Sequence, residues 1–350
     1  MALLSETQAL LESLIRIPSL SRRETAVADY MEQYLAQHGQ TVHRVGHNLW
    51  CQADGYDGSR PTLLLNSHLD TVAPSASWTR EPYVPVVEDG RLYGLGSNDA
   101  GAPLCCLVQT YLDLCHKPLA YHLVLGLSCE EEVTGTGGID ALLPQLPPVS
   151  VAVVGEPTGL RAAIAEKGLM VLDCTVHGVS GHAAHAIGDN AIYKALKSIE
   201  WFRTTELPRK SALLGPVRMT VTVIEAGEKH NIIPDTCRFT VDVRVNECYT
   251  NEELYQYICS QVDCEVKARS FRLASSGIEQ DHPIVQRCRA LGLECYGSPT
   301  LSDQSRMPFP SLKLGPGEST RSHTADEYVC LSELEKGLEV YRALLEGLQL

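Results

Sequence analysis

The chain has 350 residues, of which 44% are hydrophobic, and this length and composition suit two folded domains with a sizeable core. It carries 43 acidic and 29 basic side chains, for a formal net charge of −14 at pH 7. This acidity argues against a nucleic-acid surface and against an anionic membrane, because both require clustered lysine and arginine. It is compatible with a metal site, where bound cations offset the charge of carboxylates.

The N-terminal residues lack the basic segment of a signal peptide, and no apolar run reaches the ~20 residues that span a bilayer. Ser5 to Gln8 form a capping-box pattern, and apolar residues at helical spacing follow it as far as Pro18. The thirteen cysteines are scattered and include no CxxC pair, which favours reduced thiols. We therefore expect a cytoplasmic protein.

Short apolar runs that predict strands alternate along the chain with segments that predict helices. Strands are expected at 62–66, 121–128, 149–154 and 312–314, and helices at 24–37, 102–114 and 331–348. This alternation predicts an α/β domain with a mostly parallel central sheet. We expect this domain to be discontinuous, with residues 1–170 and 277–350.

The middle of the chain has a different pattern, in which apolar and polar residues alternate. Residues 171–176, 218–224 and 237–244 show it, which favours antiparallel strands with one exposed face. Helices are expected at 190–204 and 250–262, so the order of elements is that of a ferredoxin-like α+β sandwich. We expect this smaller domain at residues 171–276, inserted into the larger one.

Side chains that can bind metals follow the predicted strands of the larger domain. In such sheets, ligands bind beyond the carboxyl ends of the strands. The candidates at these ends are His68, Asp99 after a strand expected at 91–98, the run Glu130-Glu131-Glu132, Glu156 and His323. Each of them alone is more often structural, but their occurrence at five predicted strand ends favours one common site.

The number and type of these side chains indicate a pair of metal ions. Five ligands exceed the three of a simple catalytic zinc site, and they fit two metals that share a bridging carboxylate. Mixed imidazole and carboxylate ligation suits zinc or cobalt better than calcium or magnesium.

The same segments resemble the motifs of a known enzyme family. They are His68-Leu69-Asp70, Gly94 to Asp99, Cys129 to Glu132, Gly155 to Thr158, Gly178 to His182 and Gly315 to His323. In their order and over essentially the whole chain, they resemble the dinuclear-zinc amidohydrolases. This family includes aminoacylases, acetylornithine deacetylases, succinyl-diaminopimelate desuccinylases and carboxypeptidase G-type enzymes. One departure is Ala100-Gly101, since relatives often have a Lys-Gly pair after the bridging aspartate.

The resemblance implies which ligands hold each metal. His68, Glu156 and Asp99 would hold the first metal. Glu132, His323 and the same Asp99 would hold the second. The two cations would then lie ~3.5–4 Å apart, which is usual for two-metal hydrolysis.

The resemblance also implies roles for residues next to the ligands. Asp70 would orient the imidazole of His68. In the glutamate run, the general base of the family directly precedes a ligand, which implies Glu131 as the base and Glu132 as the ligand. The alternative, with Glu130 as the base and Glu131 as the ligand, requires a shift of one residue in this loop.

Three residues of the smaller domain resemble contacts with the substrate. His182 would donate a hydrogen bond to the tetrahedral oxygen of a partner subunit's substrate, which implies a homodimer that uses the inserted domain as a lid and for dimerisation. Asn231 would hydrogen-bond the substrate, and Arg244 would bind a carboxylate with two hydrogen bonds. The exposed face of an alternating strand explains Arg244 equally well.

The resemblance implies hydrolysis of the amide bond of an N-acylated amino acid. The Gly-Glu-Pro-Thr segment and the compact size are most similar to those of amino-acid biosynthesis deacylases. Our leading hypothesis is therefore a substrate of the N-acetyl- or N-succinyl-ornithine type in arginine biosynthesis. Residues 298–303 also resemble a segment of the desuccinylases, so succinyl-diaminopimelate is an alternative. Dipeptidase or carboxypeptidase activity and a non-catalytic metal sensor are the others.

Overall fold

A computed structural model describes residues 2–185 and 187–350, which fall into two compact units. The larger unit comprises residues up to 164 together with 277–296 and 302–350, and the smaller unit comprises 165–276 and 297–301. The smaller unit thus starts before the predicted residue 171, because its first strand already begins at Gly168. It also takes in residues 297–301, which lie outside the predicted insert.

The described residues form helices and strands close to those predicted. The helices are α1 Ala2–Ile15, α2 Thr25–Gln37, α3 Ala102–Leu114, α4 Ile139–Leu142, α5 Ala191–Thr204, α6 Asn251–Gln261, α7 Pro283–Ala290 and α8 Leu331–Leu345. Within the described ranges, no helix has the length and apolar character that a membrane crossing requires. Helix α1 begins before Ser5, so the predicted capping box is wrong; the alanine and leucines ahead of Ser5 already favour a helix.

The strands are numbered in chain order. They are β1 His43–Val45, β2 Asn48–Gln52, β3 Thr62–His68, β4 Val86–Glu88, β5 Arg91–Tyr93, β6 His122–Ser128, β7 Val151–Val154, β8 Ala162–Glu166, β9 Gly168–His177, β10 Gly181–His182, β11 Arg218–Ala226, β12 Ile232–Ile233, β13 Thr236–Val245, β14 Glu265–Ala268, β15 Ser276–Gly277, β16 Cys295–Ser298, β17 Ser311–Lys313 and β18 Tyr328–Cys330.

The larger unit is built on a mixed sheet in which β1, β2, β6, β3, β7, β17 and β8 lie side by side in that order. The four central strands β6, β3, β7 and β17 run parallel, whereas β1 and β2 at one side and β8 at the other pair antiparallel. The prediction of an α/β domain is therefore confirmed, and its sheet is mixed, with four parallel strands at the centre.

The central strands are covered by helices, which explains their continuous apolar sequences. All seven residues of β3 are buried, and α3 packs against it while α8 packs against α3. Leu64 and Val124 pack with Ile139 and Leu142 of α4 in one apolar cluster. A strand buried along its whole length is typical of parallel sheets with covered faces.

The register of the parallel strands brings their carboxyl ends to the same edge. His68, the last residue of β3, lies opposite Ser128, the last residue of β6. Asn66 of β3 lies opposite Val154, the last residue of β7. Residues that directly follow these three strands are therefore neighbours in space.

The segment before Asp99 differs from the prediction. The predicted run 91–98 is a strand only as far as Tyr93, and this strand, β5, belongs to a separate antiparallel sheet with β4 and β18. Gly94 and Gly96, with φ of 155° and 74°, turn the chain away from the extended conformation. Asp99 consequently lies in an irregular turn, Ser97–Gly101, that leads into α3. The prediction that Asp99 ends a strand of the main sheet is wrong.

The smaller unit has the predicted ferredoxin-like arrangement. Its antiparallel sheet has the order β11, β13, β9, β14, with α5 between β9 and β11 in sequence and α6 between β13 and β14. Phe202 of α5, Phe239 of β13 and Ile258 of α6 belong to one buried cluster. The alternating strands thus bury one face against the two helices, as their sequence pattern indicates.

Candidate metal centre

Three predicted ligands come directly from the ends of neighbouring parallel strands. His68 ends β3 and is only 3% exposed. Glu132 lies in the short helical turn Glu131–Val133 that follows β6, and Glu156 lies two residues beyond β7. Because these strand ends meet at one edge of the sheet, the sheet itself delivers these side chains to a common place.

The carboxylate of Asp99 lies between the two predicted histidine ligands. Its Oδ1 atom is 3.3 Å from Nε2 of His68, and its Oδ2 atom is 3.7 Å from Nε2 of His323. One oxygen thus faces each imidazole, which is the disposition that a bridging carboxylate needs.

The two remaining carboxylates each lie near one of these imidazoles. Oε1 of Glu156 is 3.9 Å from Nε2 of His68, and Oε2 of Glu132 is 2.8 Å from Nε2 of His323. Nitrogen and oxygen atoms of His68, Asp99 and Glu132 also lie within 4.8 Å of one another. These distances are compatible with the two predicted ligand sets, whose roles stay predictions.

Two atoms of this cluster make no hydrogen bond of good geometry within the part of the chain that the structure describes. They are Nε2 of His68 and Oε1 of Glu132, and both are buried. Buried polar atoms are nearly always hydrogen-bonded, so an unpaired imidazole nitrogen beside an unpaired carboxylate oxygen calls for another partner. A divalent cation supplies that partner, and the donor set therefore fits a metal.

The hydrogen bond on the other side of the His68 ring fixes its tautomer. Nδ1 lies 2.9 Å from the main-chain oxygen of Asp70, which can only accept, so Nδ1 carries the proton. In the neutral ring, Nε2 then carries no proton and presents a lone pair toward Asp99 and Glu156. This is the form in which histidine binds a metal.

Burial and neighbouring carboxylates disfavour the ionisation of two glutamates of the cluster, Glu131 and Glu156. Burial raises the pKa of Glu156 to about 8, and the nearby charge of Asp99 adds to the rise. Burial also raises the pKa of Glu131 well above its usual range, as does the charge of Glu156. A hydrogen bond with Glu132 raises the pKa of His323 to about 9. Bound cations would relieve this repulsion between carboxylates.

The carboxylate of Asp70 holds the glutamate loop in place. It accepts hydrogen bonds from the main-chain N–H groups of Glu131 and Glu132, at 3.1 and 3.2 Å, and from the hydroxyl of Ser21 at 2.7 Å. Its Oδ1 atom is 3.6 Å from Nδ1 of His68, farther than the main-chain oxygen. The predicted orientation of His68 thus comes mainly from the backbone of Asp70, and the sequence did not reveal the role of its carboxylate in the loop.

We expect Asp70→Ala to lower both kcat and metal affinity by about 10–100-fold, the usual cost of removing an outer support of a metal site. The reason is that the main-chain N–H groups of Glu131 and Glu132 would lose the two oxygens of the Asp70 carboxylate that accept their hydrogen bonds. Steady-state kinetics and metal titration measure the two effects. Ser21→Ala, which leaves those two hydrogen bonds in place, is the matched control. If Asp70→Ala kept the wild-type kcat and metal affinity, the loop would hold its conformation without the Asp70 carboxylate.

Glu130 points away from the cluster. Its φ is 54°, in the left-handed region, and its carboxylate fills the space above Gly135 and Gly137. One carboxylate oxygen is 3.4 Å from the N–H of Gly137 and 3.8 Å from Nε of Arg22. This geometry does not support the alternative in which Glu130 is the general base.

The three predicted substrate residues lie in the smaller unit. His182 is exposed and pairs with Ile232 between β10 and β12, so it lies next to Asn231, whose main-chain oxygen accepts the N–H of Ala183. Arg244 donates two hydrogen bonds, of 2.8 and 3.1 Å, to Asp242 on its own strand. The structure thus places His182 and Asn231 together, and the contacts of all three with a substrate stay predictions.

Sequence reasoning missed two buried carboxylates near the cluster. Asp303 accepts a hydrogen bond from the hydroxyl of Ser128, which ends β6. Glu327 accepts hydrogen bonds from three main-chain N–H groups, among them that of Asp99. The only sequence signal for Glu327 is an acidic residue directly before an apolar strand, and a signal of this kind does not identify its partners.

The sequence is similar to those of known proteins over most of its length. The model of peptidase family M20/M25/M40 matches residues 64–347. A succinyl-diaminopimelate desuccinylase of Cereibacter sphaeroides is 29% identical over 280 residues, which cover 75% of this chain and 73% of the relative.

Solved structures have the same fold. A tripeptidase from Staphylococcus aureus superimposes with a TM-score of 0.78 at 19% identity, over 98% of both chains. A dinuclear metal-binding M20 peptidase from Bacillus subtilis gives a TM-score of 0.72 at 13% identity, over 99% of both chains. Since the family model covers most of the sequence, the chain belongs to peptidase family M20/M25/M40 and is an enzyme that hydrolyses amide bonds.

Proposed function

We propose that the protein is a metal-dependent deacylase that hydrolyses the amide bond of an N-acylated amino acid and releases a carboxylate and the free amine. The observation that carries this proposal is the position of the Asp99 carboxylate, with one oxygen toward His68 and the other toward His323. A carboxylate between two imidazoles is an arrangement suited to two-metal hydrolysis.

The ligands divide into two sets around Asp99. His68 and Glu156 would hold one cation with it, and Glu132 and His323 would hold the second. Zinc or cobalt suits these nitrogen and oxygen donors. When bound, the cations supply Lewis-acid activation of water and of the scissile carbonyl.

Glu131 acts in this proposal as the general base. Its carboxylate takes the proton from the attacking water and delivers it to the amine nitrogen that leaves. Asp70 keeps the backbone of Glu131 in position, and His182 of the partner subunit would donate a hydrogen bond to the tetrahedral oxygen.

The proposed substrate is an N-acylated diamino acid. The similarity to a succinyl-diaminopimelate desuccinylase supports a succinyl group on such an amino acid. The sequence motifs favour an ornithine-type substrate, as in arginine biosynthesis. Both substrates carry the same scissile amide beside an α-carboxylate, so they differ only in the acyl group and the side chain.

A substrate panel tests the proposed function directly. Purified protein with titrated zinc or cobalt is offered N-acetylornithine, N-succinylornithine, N-acetylcitrulline, N-succinyl-diaminopimelate and dipeptides, and release of the amine is measured. We expect metal-dependent cleavage of at least one acylated diamino acid. Cleavage of dipeptides alone would assign a peptidase, and stoichiometric metal binding without any turnover would assign a sensor.

We also propose a homodimer that forms through the smaller unit. Strand β11 lies at one edge of its sheet, where Val223 and Ile224 are 49% and 54% exposed. Helix α5 packs against β11 and exposes 73% of Tyr193 and 55% of Leu196. Pairing of β11 with a second copy would cover both the open edge and these apolar side chains.

We expect Ile224→Lys to convert this dimer to a monomer, because the pairing would bury the new charge. Light scattering coupled to gel filtration measures the molar mass. Leu291→Lys is the control, since Leu291 is 40% exposed in the larger unit. A wild-type protein that is monomeric at all concentrations would contradict the proposal.

A cytoplasmic location stays a prediction that rests on the scattered cysteines.

A further inference from the structure

Two loops of the larger unit carry the residues whose side chains flank the shared metal position. The Asp99 loop comprises residues 94–101, and the His323 loop comprises residues 315–327. Both loops lie outside the parallel strands that place His68 and Glu156. Something other than the sheet must therefore fix the spacing between Asp99 and His323.

Glu327 of the His323 loop binds the backbone of the Asp99 loop. Its side chain is buried, and the residue is only 2% exposed. Oε1 accepts the N–H groups of Asn98 and Asp99, each at 2.8 Å, and Oε2 accepts the N–H of Gly96 at 3.0 Å. One carboxylate thus determines the path of the backbone up to and including Asp99 itself.

Asn98 of the Asp99 loop binds the His323 loop in return. It is fully buried, and its Oδ1 accepts the N–H of Glu318 at 2.9 Å. Its Nδ2 donates to the main-chain oxygen of Glu318 at 3.1 Å and lies 3.4 Å from the hydroxyl of Ser322. Ser322 directly precedes His323, so this amide acts on the start of the segment that presents the imidazole.

We propose that Glu327 and Asn98 are positioning residues that hold Asp99 and His323 at the spacing a shared cation requires, before any cation binds. This inference rests on the proposed function, because it assigns Asp99 and His323 as ligands. Its physical reason is preorganisation. Burying a carboxylate is costly unless it is hydrogen-bonded, and three N–H donors offset part of that cost here. Ligands that are already in place bind a metal without a further ordering cost.

Asp326 offers a matched control within the same loop. Its carboxylate also accepts two main-chain N–H groups, those of Thr79 at 3.0 Å and Arg80 at 2.9 Å. It therefore has the same chemistry as Glu327 one position away, but it holds a segment without any predicted ligand.

The test uses the full-length variants Glu327→Ala, Glu327→Gln and Asp326→Ala with two readouts. The first is the affinity for Zn²⁺, measured by competition with a chelating dye. The second is amide hydrogen exchange of residues 94–101 in the metal-free protein. For Glu327→Ala we expect about 10–100-fold weaker binding of Zn²⁺ and faster exchange. Glu327→Gln keeps one acceptor oxygen and should show a smaller change of both, while Asp326→Ala should match the wild type.

The proposal is overturned if the affinity of Glu327→Ala for Zn²⁺ is within about threefold of the wild-type affinity, because that change is far below the expected loss. It is also overturned if the amide exchange of residues 94–101 is unchanged in this variant. If Glu327→Ala does not fold, Glu327→Gln decides, and wild-type affinity for Zn²⁺ or wild-type exchange in that variant overturns the proposal. Failure of the proposed function has a different signature, because the wild type itself would then bind no cation pair. In that case the exchange of the metal-free protein alone decides whether Glu327 holds the Asp99 loop.

Discussion

Replacement of Glu131 by glutamine is expected to lower kcat by about 10²–10⁴-fold, the usual contribution of a general base. Glutamine has nearly the same shape, but its amide cannot accept the proton of the attacking water. The metal ligands and the hydrogen bonds from the loop backbone to Asp70 do not involve this side chain. Metal content per chain should therefore stay at the wild-type value, which elemental analysis after dialysis measures together with steady-state kinetics.

Glu130→Gln is the natural control for this experiment because it makes the same change one residue earlier. Its carboxylate lies against Gly135 and Gly137 and near Arg22, away from the metal cluster. We expect kcat to change by less than about tenfold, well below the effect of losing a base. Inactivation by Glu130→Gln with full activity of Glu131→Gln would instead show that the base is one residue earlier in the loop.

Those parts of the site that follow parallel strands could be predicted from the sequence. The apolar runs that become β3, β6 and β7 are recognisable locally, and a parallel sheet necessarily collects their carboxyl ends at one edge. His68, Glu132 and Glu156 are within a few residues of those ends. A local pattern combined with a general property of the fold was therefore enough to bring them together.

Asp99 and His323 could not be placed in this way. The sequence before Asp99 resembles a strand, but Gly94 and Gly96 turn the chain out of the extended conformation. The conformation of this turn depends on Glu327, which is 228 residues away from Asp99 in the sequence. Periodicity describes neighbours along the chain and carries no information about such a contact. The strand-end argument named both residues as candidates, but only the family resemblance assigned each of them to a metal.

The role of Asp70 shows the same limit at short range. Asp70 is two residues from His68 and is expected to orient this imidazole, yet its carboxylate accepts hydrogen bonds from the backbone of Glu131 and Glu132. The direction in which a buried carboxylate points depends on which N–H groups lack another acceptor. That information exists only once the loops around the site are folded.

Asp99→Ala should weaken the binding of both metals, because Asp99 is the only predicted ligand common to the two sets. Each oxygen of its carboxylate faces a different imidazole, at 3.3 Å for His68 and 3.7 Å for His323. We expect the affinity at both positions to fall by more than the ~10–100-fold that follows loss of an outer support. Titration of the metal-free protein with Zn²⁺, read as bound metal per chain, resolves the two positions.

Glu156→Ala provides the comparison, since the Glu156 carboxylate lies near the imidazole of His68, with Oε1 3.9 Å from its Nε2. Loss of this side chain should weaken one position and leave the other close to its wild-type affinity. The two variants therefore differ in the number of positions affected as well as in the size of the effect. If Asp99→Ala also kept one position at full affinity, its carboxylate would serve a single cation. The two imidazoles would then belong to separate sites without a shared ligand, and the two-metal mechanism would lose its basis.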